Sequence, residues 1–359
     1  MARPELFSTW SWRKGGPGFA PATNAWWLHE ALWLYKRFPI LQRQNRTYDS
    51  LCIAFDRWLA GKLRRETRAL YFLSGCGLTA LRQARTWNIP VVVDAGSTHT
   101  DYQHRIVTEE FRRNGLAHPL FPERYRDRVR TEFTEADFIQ IPSTFVRRTF
   151  LEAGIPANKI LMAPYGVDVG QFAQRSASDL QPSFRVLCPS GVNLRKGARL
   201  LVEAWRKLGW HDAELHWIGW PGAPEVRHLF RRPLAGVIWH GWMPHETLAS
   251  LYRSCDVLVL PSFEEGFARV LVEAAASGLP LIATPNTGVE DFFTPGHSEG
   301  WLIEAGSVDA LCAALEEAKA DRQRTLELGQ RAATRARQGF SWEDYGRQVR
   351  ENLGRVMGS

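Results

Sequence analysis

The chain has 359 residues, of which 45% are apolar and 23% charged, the balance of a soluble globular protein with about two domains. This composition excludes disordered, collagen-like and disulfide-stapled classes. No apolar stretch reaches the ~18–20 residues of a membrane span, and the N-terminus lacks the apolar segment of a signal peptide. Five cysteines are scattered without a Cys-x-x-Cys pair, which argues against a zinc site and favours a reducing cytoplasm.

The positive charge is concentrated in the first half of the chain. Residues 1–170 contain 24 Lys and Arg against 16 Asp and Glu, a net charge of +8, and the remaining residues carry −1. A basic half attracts phosphates, anionic lipid headgroups or nucleic acid, although an Arg-rich composition without function is the alternative. The segment 26–38, WWLHEALWLYKRF, combines aromatic and basic residues, which suits a helix at an anionic membrane surface or one buried in the core.

In the first half, strands are predicted after residue 60, and no opening strand is evident before it. The predicted strands are RALYFLS (68–74), IPVVVDA (89–95), DFIQIPS (137–143) and KILMAPY (159–165), and the predicted helices are RYRDRVRTEFTEA (124–136) and VRRTFLEAG (146–154). A polar linker follows at 169–183.

The second half alternates short apolar strands with amphipathic helices. Strands are predicted at 182–190, 213–220, 235–243, 256–262 and 279–285, and helices at 197–209, 245–255, 267–278, 307–320 and 342–356. This alternation predicts a parallel, doubly wound sheet, so the chain is α/β with two such sheets in tandem.

The most informative pattern is PSFEEGFARVLVEAAASGLPLIAT, in which a buried strand leads through a turn into a helix predicted to begin near Phe267. Free N–H groups at a helix start bind anions, and Gly266 allows a ligand to approach the backbone. Ligands of such sheets bind at the carboxyl ends of strands. Glu265 in the turn and Glu273 in the helix are eight residues apart, which suits a polyhydroxylated ligand flanking a diphosphate.

A second pattern is SGVNLRKGARLLVEAW, where Arg195, Lys196 and Gly197 lie between a strand and a helix. Two cations beside a glycine suit a diphosphate, since Lys supplies a point charge and Arg a fork of donors. A solvated pair is the alternative. Sharing one sheet with Glu265 and Glu273 favours the functional interpretation.

The chain resembles the retaining glycosyltransferases of family 4, which have the GT-B fold. The resemblance rests on four segments, namely EEGFARVLVE with its Glu265-to-Glu273 spacing, LRKG (194–197), PYGVD (164–168) and FSWEDYGRQ (340–348). It implies two Rossmann-like α/β domains facing a cleft, an acceptor domain over 1–170 and a nucleotide-sugar donor domain over 183–338. A C-terminal helix within 339–359 would cross back to the first domain.

The family implies a role for each matching residue. Glu265 would hold donor sugar hydroxyls and Glu273 the ribose, Arg195 and Lys196 would neutralise the diphosphate, and His99 would face the donor sugar or orient the acceptor. Further donor contacts are expected from Gly266, Phe267, Ala268, Ser190, Trp242, Met243 and Thr287. Two departures stand out, since the family often has Gly-Arg where Ser190-Gly191 stand and Gly where Ala268 stands.

The expected activity is hexosyl transfer from a UDP- or GDP-linked donor to a glycan, a lipid-linked acceptor or a small molecule. The developing charge on the leaving diphosphate must be stabilised, and because no Asp-x-Asp occurs in the sequence, Arg195, Lys196 and the helix start would do so without a metal or cofactor. We expect a cytoplasmic enzyme with peripheral contact to an anionic membrane and no nucleic-acid partner.

Three alternatives remain at this point. Gly75-x-Gly77-x-x-Ala80, followed by Asp94, matches a dinucleotide fingerprint and would indicate an NAD-linked oxidoreductase. The atypical N-terminus allows a non-catalytic GT-B partner subunit. A nucleotide-sugar epimerase would use the same architecture.

Overall fold

The computed structural model describes residues 7–8, 23–24, 46–117, 121–296 and 298–358. Two short strands, β1 (Phe7–Ser8) and β2 (Thr23–Asn24), pair in parallel. The tryptophan-rich segment 26–38 lies outside the described residues, and so does the helix predicted there.

The N-lobe, residues 46–162, is built on a parallel sheet with the spatial order β3-β4-β5-β6 among the described residues. Its strands are β3 (Leu70–Leu73), β4 (Val91–Asp94), β5 (Phe138–Ile141) and β6 (Ile160–Met162), which confirms the four predicted strands. Its helices are α1 (Arg46–Ala60), α2 (Leu78–Thr86), α3 (Thr100–Arg113), α4 (Glu123–Glu135) and α5 (Thr144–Glu152). All four residues of β4 are buried, as expected of a strand covered on both faces.

The C-lobe, residues 184–336, contains a parallel sheet with the order β12-β11-β10-β7-β8-β9. Its strands are β7 (Phe184–Cys188), β8 (Ala213–Trp217), β9 (Val237–Trp239), β10 (Val257–Leu260), β11 (Leu281–Ala283) and β12 (Gly300–Leu302). Its helices are α6 (Ala198–Leu208), α7 (His245–Ser254), α8 (Arg269–Ala276), α9 (Val308–Ala320) and α10 (Arg322–Ala336). The strand order reverses between β7 and β10, and ligands of doubly wound sheets bind at this switch point.

The C-lobe core lies on both faces of its sheet. Val186 and Leu187 are neighbours on β7, yet they belong to different apolar clusters because successive side chains of a strand point to opposite faces. Helix α6 covers the Val186 face with Leu201 and Trp205, both buried. Burial on both faces explains why these strands read as continuous apolar runs.

The structure differs from the sequence prediction at several elements. The helix expected from Phe267 begins at Arg269, because the Ala268 backbone is not helical, with φ −81° and ψ 87°. The Ala268 N–H donates to the Thr287 carbonyl, and the Phe267 ring stacks on Phe340. Helices α1, α2, α3 and α10 and strands β1, β2 and β12 were not predicted. Helix α10 buries mainly small side chains, which leave a weak apolar periodicity, and β12 has three residues.

The last helix, α11 (Trp342–Val356), leaves the C-lobe and packs against the N-lobe sheet. Its start is fixed by a capping box between Ser341 and Asp344. Further along, the buried Asn352 amide donates to Gln140 Oε1 at 3.4 Å and to the Met162 carbonyl at 3.1 Å. Gln140 in turn donates to the Tyr71 hydroxyl at 2.6 Å, so α11 is tied to a polar network inside the N-lobe.

Among the described residues, no helix combines the length and the apolar character that crossing a bilayer requires.

We predict that Asn352→Ala loosens α11 from the N-lobe, because it removes the donor to the Met162 carbonyl and leaves buried acceptors unpaired. The loss should be about 1–3 kcal/mol of stability, measured as a lower thermal midpoint and faster proteolytic cleavage near residue 340. Glu351→Ala is the control, since Glu351 is the adjacent, exposed residue of the same helix. Equal behaviour of the two variants would contradict the docking role of Asn352.

Candidate active site

The candidate site lies where the loops after β7 and β10 meet the N-lobe. The β7 loop is held by Asn193, whose Oδ1 accepts from the Lys196 N–H at 3.0 Å. Gly197 ends the loop with φ +77°, and a Cβ there would lie 2.1 Å from the Pro261 carbonyl oxygen. The Arg195 carbonyl accepts from the Phe263 N–H at 2.9 Å. Backbone contacts therefore fix the two loops side by side.

Cations and carboxylates from these loops form one cluster. The Lys196 ammonium pairs with Glu265 Oε1. Arg195 Nη1 lies 3.0 Å from Glu264 Oε2 and 3.7 Å from Glu265 Oε2. The Arg195 side chain stays 33% exposed and that of Glu264 is fully buried. The predicted trio Arg195, Lys196 and Glu265 is thus brought together, with Glu264 as a fourth member.

Burial and the neighbouring Arg195 lower the pKa of Lys196 to about 8. Removal from water penalises the ammonium, and a second cation beside it has the same effect. The nearby Glu264 carboxylate only partly offsets this lowering of the pKa. A polyanion entering the cluster would favour the protonated lysine.

Glu273 is placed differently from the cluster. It lies buried on α8, where its Oε2 accepts from the Tyr252 hydroxyl at 3.3 Å. Burial raises the pKa of Tyr252 well above its usual value, and the adjacent Glu273 adds to the effect. Glu273 is therefore an oriented carboxylate one turn inside the helix that follows the Glu265 loop.

The turn from Gly266 to Ala268 contacts both lobes. A Cβ on Gly266 would lie 1.9 Å from the Gly96 carbonyl oxygen, so the two backbones touch. The Gly266 carbonyl accepts from the Ser143 hydroxyl at 2.7 Å. Ala268 caps α8 without a side-chain hydrogen bond. The turn is therefore set by backbone contacts, and the start of α8 has no side-chain cap.

The remaining residues predicted to contact the nucleotide-sugar donor differ in burial and in hydrogen bonding. Thr287 is fully buried and its hydroxyl donates to the Thr284 carbonyl at 2.7 Å, which braces the loop. The Ser190 hydroxyl lies 3.4 Å from Cys188 Sγ. Trp242, beyond β9, is 85% exposed, whereas Met243 packs against the core.

His99 lies at the start of α3, where its Nδ1 accepts from the Asp101 N–H at 3.3 Å. Its ring packs against Phe133 and Phe150 with centroid distances of 5.6 and 5.2 Å. Burial lowers the pKa of His99, which favours the neutral imidazole. One ring nitrogen is thus engaged in helix capping, and contact with a sugar stays a prediction.

The dinucleotide fingerprint is occupied by the protein's own carboxylates. Glu132 accepts from the N–H groups of Gly75 and Gly77 at 2.5 and 3.0 Å, and Asp56 accepts from those of Thr79 and Ala80 at 2.8 and 3.0 Å. These four donors are the ones that a pyrophosphate would need at the start of α2. The NAD-linked interpretation is wrong, because the glycines serve an internal anion site.

Sequence reasoning missed Glu264 and Ser143. Glu264 is adjacent to Glu265 in the chain, and no local signal separates a carboxylate that faces the N-lobe from one that faces Lys196. Ser143 was included only as the end of a predicted strand. Both are defined by contacts across the lobes, more than 120 positions apart in sequence.

Known proteins resemble this chain in sequence. Residues 183–321 match the family model described as glycosyl transferases group 1. The chain is 29% identical over 296 residues to a D-inositol 3-phosphate glycosyltransferase of Paenarthrobacter aurescens, covering 76% of this chain and 68% of the relative. This chain is a GT-B glycosyltransferase.

Further similarities agree with this assignment. A GDP-mannose-dependent phosphatidylinositol monomannoside mannosyltransferase of Mycolicibacterium smegmatis is 26% identical over 64% of this chain and 65% of its own length. The fold of the glycosyltransferase is similar to that of Anabaena HepE in its crystal structure with UDP and glucose. The two chains superpose with a TM-score of 0.64 and 19% identity, over 85% of the glycosyltransferase and 82% of HepE. This likeness confirms the expected GT-B fold. The glycosyltransferase spans about two thirds of both curated relatives.

We predict that Gly266→Ala forces the lobes of the glycosyltransferase apart, because the new Cβ would collide with the Gly96 carbonyl. Overpacking of this kind costs about 1–3 kcal/mol. The thermal midpoint should fall, and the radius of gyration measured by X-ray scattering should rise.

Gly222→Ala is the matched control, because a Cβ on Gly222 meets no atom within 4 Å. A Gly266→Ala protein with unchanged dimensions and an unchanged midpoint would show that the lobes do not meet at Gly96 in solution.

Proposed function

We propose that the glycosyltransferase moves a hexose from a UDP- or GDP-linked donor to a hydroxyl of a glycan, a lipid-linked acceptor or a small molecule, with retention and without a metal. The observation that carries the proposal is the cluster of Arg195, Lys196 and Glu265 at the switch point of the C-lobe sheet. Its cations stand where a diphosphate would meet the start of α8.

The cluster is balanced in charge before a donor enters. Lys196 is paired with Glu265, and Arg195 lies between Glu264 and Glu265. A donor diphosphate carries two negative charges, so it competes with Glu265 for Lys196. On binding, the diphosphate takes the ammonium, and Glu265 is released to accept hydrogen bonds from sugar hydroxyls. A single exchange, in which Lys196 leaves Glu265 for the diphosphate, thus prepares Lys196 to stabilise the leaving group and Glu265 to bind the sugar.

The same groups suit the chemistry of transfer. The bond between the anomeric carbon and the diphosphate oxygen breaks, and the diphosphate leaves with the electron pair. Lys196, Arg195 and the uncapped start of α8 stabilise that charge as it grows. The acceptor oxygen then bonds to the anomeric carbon on the face that the diphosphate left, and the acceptor's hydroxyl proton passes to the departing diphosphate on that face. Retention is inferred from the family resemblance.

The nucleoside is proposed to lie along the C-lobe strand ends. Glu273 is proposed to accept from a ribose hydroxyl, with the Tyr252 hydroxyl helping to orient its carboxylate. Trp242 offers an exposed indole after β9 on which a base could stack. Backbone contacts at this position do not distinguish uracil from guanine, so both nucleotides belong in the first screen.

The acceptor is proposed to approach over the N-lobe. The names of two relatives specify inositol-containing acceptors, and the net charge of +8 in residues 1–170 suits an acceptor that carries phosphate or lies at an anionic membrane. We propose peripheral contact with such a membrane from the cytoplasmic side.

We expect the function to be tested best by a thermal-shift screen of nucleotide diphosphate sugars in the presence of EDTA. A matching donor at a hundredfold excess over its Kd adds about 2.7 kcal/mol of stability. Proton NMR of the product, or of the slowly hydrolysed donor, then gives the anomeric configuration. The proposal fails if no activated sugar stabilises the protein, and its metal-free part fails if EDTA abolishes turnover.

Substitution of Lys196 distinguishes a specific role of the cluster in catalysis from the general effect of removing one positive charge. Lys196→Gln should lower kcat by about 10²–10³-fold, the usual cost of removing one preorganised group that stabilises transition-state charge. Lys207→Gln is the control, since Lys207 is an exposed lysine on the adjoining helix. Equal rates in the two variants would rule out Lys196 as the diphosphate cation.

We predict a pH dependence of donor affinity that originates in Lys196. Its pKa is about 8 in the free protein, and the diphosphate raises that pKa, so affinity is constant below pH 8 and falls above it. At about pH 9 a tenth of the lysine is charged, which weakens binding about tenfold relative to pH 7. Titration calorimetry with a nucleotide sugar measures this directly.

Lys196→Arg supplies the control, because a guanidinium stays charged throughout this range. Its affinity should vary less with pH than that of the unaltered protein. The same pH profile in both proteins would assign the titration to another group.

A further inference from the structure

Glu264 is a fully buried carboxylate at the boundary between the lobes, and the proposed donor contacts leave it without a role. Burying a carboxylate is costly unless hydrogen bonds and a counter-charge compensate for the lost water. The sources of that compensation indicate what the residue does.

The N-lobe supplies one set of donors. Glu264 Oε1 accepts from the Ser97 hydroxyl at 2.6 Å and the Thr98 hydroxyl at 2.8 Å, and Oε2 accepts from the Gln103 amide at 3.0 Å. Gln103 also donates to Ser97 Oγ at 3.2 Å, which joins the loop after β4 to the first turn of α3. These donors reach Glu264 only while the lobes are together.

The C-lobe supplies the counter-charge. Arg195 Nη1 donates to Glu264 Oε2 at 3.0 Å and to the Glu264 carbonyl at 2.9 Å. Both contacts hold the guanidinium against Glu264, beside Glu265. The position of Arg195 is therefore set by Glu264, the same residue that accepts hydrogen bonds from the N-lobe.

The charged form of Glu264 is stabilised while the two lobes are in contact. Burial alone raises the pKa of Glu264, but Arg195 and the hydroxyl and amide donors outweigh burial and hold the pKa below its ordinary value. Separation of the lobes would remove three side-chain donors to Glu264 at once and leave the Arg195 side chain as its partner within the described part of the chain. Water would then compete for both groups.

We propose that Glu264 is a positioning residue that couples the approach of the N-lobe to the placement of Arg195 at the donor diphosphate. The inference rests on the proposed function, since it assigns the diphosphate to Arg195. It predicts that a change in the N-lobe, at a residue that contacts no donor group, weakens nucleotide binding through Glu264.

A second interlobe contact provides the comparison. Arg148 on α5 pairs with Glu290 of the C-lobe at 2.6 Å, with 47% of the Arg148 side chain exposed. This pair also joins the lobes, but Arg148 is not among the contacts of Arg195. Loss of Arg148 therefore reports on docking of the lobes alone.

The experiment is a double-mutant cycle read by calorimetric affinity for UDP and GDP. The proteins are the unaltered chain, Gln103→Ala, Glu264→Gln, the double variant and Arg148→Gln. Gln103→Ala should weaken nucleotide binding about fivefold or more, within the usual range of coupling between sites. In the Glu264→Gln background the same change should have no further effect. Arg148→Gln leaves every donor to Glu264 in place, so its loss of affinity should be clearly smaller than that of Gln103→Ala.

Each outcome decides something. A Gln103→Ala protein with unaltered affinity, additive losses in the double variant, or an equal loss in Arg148→Gln would overturn the coupling through Glu264. Thermal melts check folding, and because Gln103→Ala removes only one partly exposed amide, the test does not depend on Glu264→Gln remaining folded. If the unaltered chain binds no nucleotide or nucleotide sugar at all, the proposed function fails first and this inference with it.

Discussion

Backbone lies against backbone where the two lobes meet, at Gly96 and Gly266. The rest of the site depends on this contact. It brings the loop after β4 within reach of Glu264, which in turn orients Arg195, and it leaves the turn before α8 beside the cluster of Lys196 and Glu265. A Cβ on Gly266 would lie 1.9 Å from the Gly96 carbonyl oxygen, so this close approach of the lobes requires glycine at position 266 and is a condition for the electrostatics.

Two helix starts in this chain show opposite solutions to one problem. Free N–H groups at a helix start favour negative charge. At α2 the protein's own Asp56 and Glu132 accept hydrogen bonds from those N–H groups, and burial opposes the ionisation of Glu132 by raising its pKa to about 7. At α8 no side chain caps the helix, and cations stand nearby. The first solution stabilises the fold, and the second leaves room for a ligand.

Much of the fold could be predicted from the sequence because its strands are buried on both faces. Runs such as VVVD and VLVL leave little ambiguity, and the spacing of Glu265 and Glu273 pointed to the donor side of the site. What sequence reasoning missed is of two kinds. Helix α10 packs through small residues, with Gly329 lying against the Gly278 carbonyl, so its apolar face is faint. The environment of Glu264 depends on N-lobe partners more than 160 residues away in sequence. The glycines that resembled a cofactor fingerprint bind Glu132 of the same chain instead.

The return of the chain to the N-lobe has a mechanical consequence. Val167, on the outgoing crossover, donates its N–H to the Phe340 carbonyl at 2.8 Å and pairs with Ser341 in a parallel bridge. A Cβ on Gly166 would lie 2.5 Å from the Trp342 Cα. The two crossover segments are therefore held side by side by backbone contacts over a few residues and form a hinge between the lobes. Such a joint resists sliding of one crossover past the other and leaves rotation about it as the softer motion between the lobes.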